Sequence, residues 1–365
     1  MGNCICKSDG TSLVLDALSS TKGSMVKLNV SDFHTKSLIG AGGTSEVYLV
    51  KSNRDKKYYA MKVIKKRSIK TPIDAKHIKS ERQILEKLKH PFLVKFHYAF
   101  QNSFNLYLIL EYAQGGDLFT HITNKKAVSE MDCKFYAAEI VWALEYLHSN
   151  GIIFRGLKPE DVLLDSKGHI KLSDFGLAKS WNSVTSTFCG SPLYLAPEII
   201  MGQKQEYAVD WWSLGVLIYE MLIGQPPFWS HDNKKLLKKI LDKELKLSDN
   251  ISNEAKDIID KLLDINQKTR LGSRDVEDIK DHPFFDDINW MDIQLKRQVP
   301  PFRPLLSSNS DLKYVDKIYK HIEFTKRESS KGFKSDSDFS NFTYHGNPSM
   351  VVQEELDETS NTLLI

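Results

Sequence analysis

The hydrophobic pattern changes its period part-way along the chain, and this change constrains the fold more than any other feature. Up to about residue 112, β-branched and aromatic runs such as SEVYLV and NLYLILEYA are typical of β-strands. One segment, from Ala75 to Lys89 and including HIKSERQILEKLK, interrupts them with apolar residues at helical spacing on an otherwise charged background, which predicts an amphipathic helix. Beyond residue 113, apolar residues recur mainly at helical spacing as far as HPFF. The sequence therefore predicts an α+β fold with a small, sheet-rich lobe and a larger, helical lobe.

Both ends of the chain differ in composition from the body. Residues 1–32 form a polar stretch, which we interpret as an anchor and linker. The body is predicted to span residues 33–285, with lobes of about 33–112 and 113–285. From residue 286 the chain turns polar and becomes rich in Ser, Asp and Lys, so it cannot form a core of its own. We expect this tail, residues 286–365, to lie over the body.

Composition excludes several classes of protein. With 41% hydrophobic and 27% charged residues, the chain falls among ordinary globular proteins. A formal net charge of +3 is too small to suggest nucleic acid as the main partner. No apolar run approaches the roughly 20 residues needed to span a bilayer, and the N-terminus lacks the pattern of a secretory signal. The sequence thus predicts a cytoplasmic protein.

The first residues, MGNCICKSDG, resemble a lipidation signal. Removal of Met1 would expose Gly2 for myristoylation, and Cys4 and Cys6 beside it are candidates for palmitoylation. One acyl chain binds membranes weakly, whereas two anchor a protein stably. We therefore expect attachment to the cytoplasmic face of a membrane. The alternative is a polar start with incidental cysteines.

Three glycines, Gly40, Gly42 and Gly43, follow one predicted strand and precede SEVYLV. A hairpin without bulky side chains can close over phosphate oxygens with its backbone N–H donors. Taken alone, such a hairpin is also typical of an ordinary turn. Lys62 in AMK and Glu81 on the amphipathic helix strengthen the phosphate interpretation, because a buried lysine is stable only when it is paired. An ion pair on the surface is the alternative for these two residues.

A second set of polar residues lies in IIFRGLKPEDVLLDSKGHIKLSDFG, which runs from Ile152 to Gly176. Asp174 offers a carboxylate that can hold Mg²⁺ bridging phosphates, and Asp161 offers a second oxygen ligand. Gly156, on the same loop as Asp161, has no side chain with which to act on a proton. The stretch therefore predicts a site that combines a metal ion with phosphate.

Together these motifs resemble those of protein kinases. From about residue 33 to the end, the chain resembles a serine/threonine kinase of the AGC group, close to the protein kinase B and ribosomal S6 kinase branch. The stretches that carry the resemblance include AMKVIKK, HPFLVKFHYAF, LEYAQGGDLF, DFGLAK, TFCGSPLYLAPE, DWWSLGVLIYEML and DIKDHPFF. It implies a two-lobed kinase fold with an AGC-type tail, and ATP and Mg²⁺ as cofactors in the cleft.

The resemblance also implies roles for residues around the nucleotide. Lys62, Glu81, Lys158 and Asp174 correspond to the catalytic set, and Asp161 joins Asp174 in holding the metal ion. The residues expected to hold adenine are Val47, Ala60 and Leu163 by their side chains and Glu111 and Ala113 by their backbones, with Leu110 as gatekeeper.

The resemblance also implies two phosphorylation sites. Thr187 occupies the position of an activation-loop phosphosite, where an upstream kinase would act, and His77, Arg155 and Lys179 are the expected cationic partners of its phosphate. Thr343, in FSNFTY, occupies the phosphosite of the hydrophobic motif.

The resemblance implies that three acidic residues take part in substrate binding. Glu160 and Glu220 match carboxylates that hold a substrate arginine, and Asp117 assists them. The implied partner is a protein substrate or a docking partner.

The chain departs from the family pattern at several positions, and these are Ser45, Gly156, Asp161, Ser191 and Leu193. Gly156 matters most, because it replaces the aspartate that takes the proton of the acceptor hydroxyl. General-base catalysis contributes about 10²–10⁴-fold to enzymatic rates. The leading hypothesis is therefore an ATP-binding, kinase-like protein that signals at a membrane and transfers phosphate weakly or not at all. The alternatives are an active basophilic kinase with a substituted mechanism and a protein that binds no nucleotide.

Overall fold

The computed structural model describes residues 28–180, 190–319 and 339–346. The strands are β1 (Phe33–Ala41), β2 (Ser45–Ser52), β3 (Tyr58–Lys65), β4 (Phe96–Gln101), β5 (Asn105–Glu111), β6 (Ile152–Ile153), β7 (Val162–Leu164), β8 (Ile170–Leu172) and β9 (Lys179–Ser180). The α-helices are α1 (Pro72–Lys87), α2 (Leu118–Lys125), α3 (Glu130–Ser149), α4 (Pro197–Ile200), α5 (Ala208–Ile223), α6 (Asn233–Leu241), α7 (Asn253–Leu262), α8 (Glu277–Lys280) and α9 (Trp290–Gln294). The predicted α+β arrangement with two lobes is confirmed.

The small lobe is an antiparallel sheet with strand order β1-β2-β3-β5-β4. Successive side chains of a strand point to opposite faces. In β3, Met61 and Val63 join an aromatic-rich cluster on one face, whereas Ile64 packs into the main core on the other. The same alternation turns Lys62 toward the cleft between the lobes.

The helix α1 begins three residues earlier than the sequence pattern predicts, at Pro72 instead of Ala75. Thr71 and Asp74 form a capping box, and proline fits the first turn because its missing N–H would have no partner there. The helix buries Glu81 together with apolar neighbours. It therefore presents a carboxylate from a fixed position on the small lobe.

The large lobe is built around α3 and α5, whose residues are mostly buried. An apolar surface on all sides requires burial on all sides, which suits the central position of α5. A buried ion pair lies within this core, with Arg270 Nη1 2.7 Å from Glu198 Oε1. Within the three described ranges, no helix has both the length and the hydrophobicity that crossing a bilayer requires.

Segments at both ends pack onto the body. Leu28 is buried against the small-lobe sheet, so packed structure begins before residue 33. At the other end, the hydroxyl of Tyr112 donates to the Asp311 carbonyl at 2.7 Å. Gly168 has φ 99°, and a Cβ there would lie 1.8 Å from the Phe302 carbonyl oxygen. The described tail residues therefore lie close against both lobes.

Candidate active site

A cavity of about 530 Å³ lies between the lobes. Its size falls within the roughly 300–1,000 Å³ typical of small-molecule sites. It is lined by Gly40, Gly42, Val47, Ala60, Leu110, Glu111, Ala113 and Leu163, among others. Gly43 does not line it, and a Cβ at Gly43 would meet no atom within 4 Å. The structure thus brings together all but one of the residues expected around the nucleotide.

A network of three charges crosses the cavity. Lys62 Nζ donates to Glu81 Oε1 at 2.6 Å and to Asp174 Oδ1 at 2.9 Å. Burial alone would lower the pKa of Lys62, but the negative charges of Glu81 and Asp174 outweigh it and raise that pKa. The positive charge of Lys62 in turn lowers the pKa of Asp174. The network keeps a cation and an anion in the cleft, where phosphate and a metal ion need them.

The loop that carries Gly156 is supported by a carboxylate from α5. Asp210 is fully buried and accepts hydrogen bonds from the backbone N–H groups of Phe154 at 2.9 Å and Arg155 at 2.7 Å. The Phe154 ring also packs edge-on against Phe175, with centroids 5.3 Å apart. Sequence reasoning does not identify this support. The available signal was a carboxylate inside an otherwise apolar helix, which needs buried donors.

Gly156 supplies no functional group at the position where the resemblance leads us to expect a proton acceptor. A Cβ at this position would meet no atom closer than 3.8 Å, and its φ does not lie in the left-handed region. A side chain would therefore fit, and the backbone does not require glycine here.

Two carboxylates on this side of the cleft could hold a metal ion. Asp161 lies 3.5 Å from Lys158 Nζ, and both line the cavity with Asp174. Burial, reinforced by the charges of Asp174 and Glu160, raises the pKa of Asp161 to about 8 despite the opposing charge of Lys158. No group of three candidate ligand side chains exists among the described residues. The pair suits Mg²⁺, which takes one or two protein carboxylates and completes its shell with phosphate and water.

A basic cluster, formed by His77, Arg155 and Lys179, lies next to the loop that carries Gly156. The side chain of Arg155 is buried and donates to the Leu177 carbonyl at 2.8 Å and to Gln205 at 3.0 Å. Burial and then the positive charges of Arg155 and Lys179 lower the pKa of His77, so these three groups share one electrostatic environment. The structure therefore gathers the expected phosphate-binding residues, while Thr187 lies outside the described residues.

The acidic residues expected on the substrate side differ in their surroundings. Asp117 caps α2 by accepting from the Thr120 N–H at 2.7 Å. Glu160 is exposed and lines the cavity. Glu220 is only 4% exposed and accepts from the Tyr194 hydroxyl. Burial raises the pKa of Glu220 to about 7, although the hydrogen bond from Tyr194 opposes the shift.

The segment expected to be a hydrophobic motif packs on the small lobe. Phe339 and Phe342 are buried, and Tyr344 pairs with Ala99 of β4 through backbone hydrogen bonds of 2.7 and 2.9 Å. Gln101 donates its side-chain amide to the Phe339 carbonyl at 2.6 Å. Thr343 is partly buried within this segment.

The lipidation candidates Gly2, Cys4 and Cys6 lie outside the described residues.

Comparison with known proteins agrees with this geometry. The family model described as a protein kinase domain matches residues 33–285, which is more than half of the chain. Serine/threonine-protein kinase Sgk1 of Xenopus tropicalis is 47% identical over 291 residues, which cover 78% of this chain and 70% of that protein. Sgk1 of Homo sapiens is also 47% identical over 291 residues, covering 78% of this chain and 68% of that protein. This chain therefore belongs to the protein kinase family and, within it, to the AGC group of serine/threonine kinases.

Proposed function

We propose that this chain is an active, basophilic kinase that transfers the γ-phosphate of ATP to serine or threonine near arginine in a protein substrate. The observation that carries the proposal is the network in which Lys62 donates hydrogen bonds to both Glu81 and Asp174. Relatives that are 47% identical and named serine/threonine kinases favour transfer over the hypothesis of binding alone. The proposal therefore adopts what the sequence left as an alternative.

The protein residues assist transfer mainly by position and charge. Phosphoryl transfer passes through a loose transition state, in which catalysis depends on alignment and electrostatic stabilisation. Lys62, held by Glu81, would bind the α- and β-phosphates, and Lys158 would lie on the opposite side of the cleft. When bound by Asp174 and Asp161, Mg²⁺ would neutralise the charge of the phosphates.

The proton of the acceptor hydroxyl is the weak point of this mechanism. Gly156 offers no acceptor, so the proton must pass to water or to an oxygen of the transferred phosphoryl group. The missing base accounts for a loss of about 10²–10⁴-fold relative to a kinase that has one. We therefore expect transfer that is slow and still depends on Asp174.

Turnover on an arginine-rich peptide tests the proposal. We expect the unaltered chain to exceed Asp174→Ala clearly, because that substitution removes a metal ligand. Gly156→Asp should raise turnover further, since the position has room for a side chain. If the unaltered chain stays at the level of Asp174→Ala in every preparation, including one phosphorylated on Thr187, the proposal fails.

A second candidate function, ATP binding without useful transfer, is favoured by Gly156 itself. It predicts that Gly156→Asp is active while the phosphate transfer of the unaltered chain remains at background.

Thermal unfolding with Mg-ATP tests the remaining alternative, in which the protein binds no nucleotide. A ligand at 100 times its Kd should stabilise the fold by about 2.7 kcal/mol.

Membrane attachment belongs to the same proposal. It is supported by Gly2, Cys4 and Cys6 in the first ten residues. Gly2→Ala should remove the first acyl chain and shift the protein from the membrane fraction to the soluble fraction of cells. Unchanged recovery in the membrane fraction would contradict lipidation as the means of attachment.

A further inference from the structure

A second, small cavity lies directly beside Gly156. Its volume is about 10 Å³, which is about the space that one water-sized group occupies. Gly156, Lys158, Ser191 and Tyr194 line it, and Lys158 also lines the nucleotide cleft. The small cavity therefore adjoins the cleft at the position where a family member carries its catalytic carboxylate.

The lining of this cavity combines polar side chains, which also include Arg155, Tyr194 and Ser213, with an apolar wall. Lys158 supplies an ammonium group and Ser191 supplies a hydroxyl group. Leu157, Leu195 and Val209 contribute apolar surface. A charge-assisted hydrogen bond in such surroundings favours an oxygen anion. The only carboxylate bonded to Lys158 among the described residues is Asp161, at 3.5 Å.

The missing side chain leaves space next to the cavity. A Cβ at residue 156 would have its nearest neighbour, Leu177 Cδ1, at 3.8 Å. An added atom at this position is therefore accepted at ordinary van der Waals distance, and the small cavity that Gly156 lines offers the further space. One carboxylate oxygen matches the volume of the cavity, while the rest of a formate or acetate ion would occupy the position of the absent side chain.

We propose that this cavity binds a small carboxylate, of the size of formate or acetate, and that the bound ion acts as the general base that Gly156 does not provide. The inference rests on the proposed function, since it requires the rest of the transfer machinery to operate. The acceptor oxygen forms its bond to the γ-phosphorus while the bond from that phosphorus to the ADP oxygen breaks. The hydroxyl proton passes to the carboxylate, and the resulting carboxylic acid releases it to water.

Chemical rescue tests the inference. Turnover of the unaltered chain on an arginine-rich peptide is measured with increasing formate, with sodium chloride holding ionic strength constant and free Mg²⁺ fixed. We expect a saturable increase of about 10-fold, a part of the 10²–10⁴-fold that a built-in base supplies. Acetate should act less strongly than formate, and a bulky carboxylate such as benzoate should have no effect.

Three variants serve as controls. Gly156→Asp places a carboxylate in the same space, so formate should no longer stimulate it. Gly156→Ala adds a Cβ at van der Waals distance from its neighbours and fills part of the space, so its stimulation should fall. Ser191→Ala removes one donor and should raise the formate concentration that gives half of the maximal effect.

The outcomes separate the inference from the proposed function. An unaltered chain that exceeds Asp174→Ala but responds equally to formate and chloride overturns the inference alone. An unaltered chain that stays at the level of Asp174→Ala with formate as well as with chloride overturns the proposed function, and the inference with it. Equal stimulation of the unaltered chain and of Gly156→Asp would place the effect outside this cavity and also refute the inference.

Discussion

At the scale of single residues, the site depends on charges that stabilise one another. Lys62 is held by two carboxylates from different lobes, one on α1 and one after β8. Removing one partner of a buried ion pair leaves the other partner without compensation, which costs more than the pair itself contributes. The site is therefore sensitive to changes that keep its shape and alter only its charge.

Glu81→Gln tests this sensitivity. The amide keeps nearly the same shape but loses the negative charge, while Lys62 retains Asp174. We expect a loss of about 1–3 kcal/mol in the free energy of unfolding, measured in urea, together with lower turnover. Glu86→Gln, on the same helix, is the control: it breaks a partly exposed pair with Arg82 and should cost at most about 0.5 kcal/mol. Equal losses in the two variants would contradict the role given to Glu81.

Glu220 predicts a dependence of stability on pH. Burial raises its pKa from 4.5 to about 7 in the folded protein, so the fold favours the protonated carboxyl. Its stabilising contribution is therefore complete below pH 4.5 and is lost as pH rises through about 7. The free energy of unfolding of the unaltered chain, compared with that of Glu220→Gln, should fall across this window. A difference that stays constant from pH 5 to pH 8 would contradict this assignment.

At the scale of elements, α1 connects several parts of the site. It carries Glu81 toward the cleft and His77 toward the basic cluster. On its other side, Lys79 lies 5.3 Å from the ring centroid of Phe339, and Arg82 lies 5.7 Å from that of Tyr344. The tail segment 339–346 therefore packs against the same helix that positions the lysine of the cleft.

Phe342→Ala tests this connection. Truncating a buried phenylalanine costs about 3–5 kcal/mol in a core, and a peripheral site falls at the lower end. We expect the amides of α1 to exchange faster with deuterium and turnover to fall, because the position of Glu81 becomes less fixed. Asn341→Ala changes an exposed neighbour and should leave both measurements unchanged. Unchanged exchange in α1 with the Phe342 variant would show that the tail does not stabilise the helix.

At the scale of the whole molecule, the tail crosses from one lobe to the other. Phe302 packs on His121 with ring centroids 4.5 Å apart, and Tyr314 lines the nucleotide cavity. A Cβ at Gly116 would lie 2.7 Å from the Tyr314 carbonyl oxygen. The close approach of tail and body at Gly116 and Gly168 leaves no room for a side chain at either position.

Gly168→Ala should detach this part of the tail. The new Cβ would lie 1.8 Å from the Phe302 carbonyl oxygen at a φ of 99°. We expect faster proteolytic cleavage near Phe302 and weaker binding of Mg-ATP, since Tyr314 follows on the same segment. Gly151→Ala is the matched control, with a φ of 71° and no atom within 4 Å of its Cβ. If both variants are cleaved at similar rates, backbone strain alone explains the faster cleavage, and the prediction that Gly168→Ala detaches the tail is wrong.

The residues of the cleft were predictable because each lies in a short string with its own chemical pattern. The glycines before SEVYLV, Lys62 in AMK and Asp174 in SDFG are recognisable without any knowledge of distant contacts. The change from strand to helical periodicity likewise indicated two lobes, because periodicity reports which face of an element is buried. The earlier start of α1 was not predicted, although the capping box at Thr71 was available as a signal.

By itself, the sequence determined the two-lobed fold, the types of side chain that line the cleft and the absence of a carboxylate at Gly156. Only the tertiary structure decided that Asp210 holds the loop of Arg155, that Tyr194 turns Glu220 inward, and that the tail closes on Gly168. The reason is physical. Local patterns follow from bonds and periodicity within one element, whereas these partners lie 26 to 134 residues apart in the chain. Packing of the whole core selects such partners, and no short stretch of residues encodes the choice.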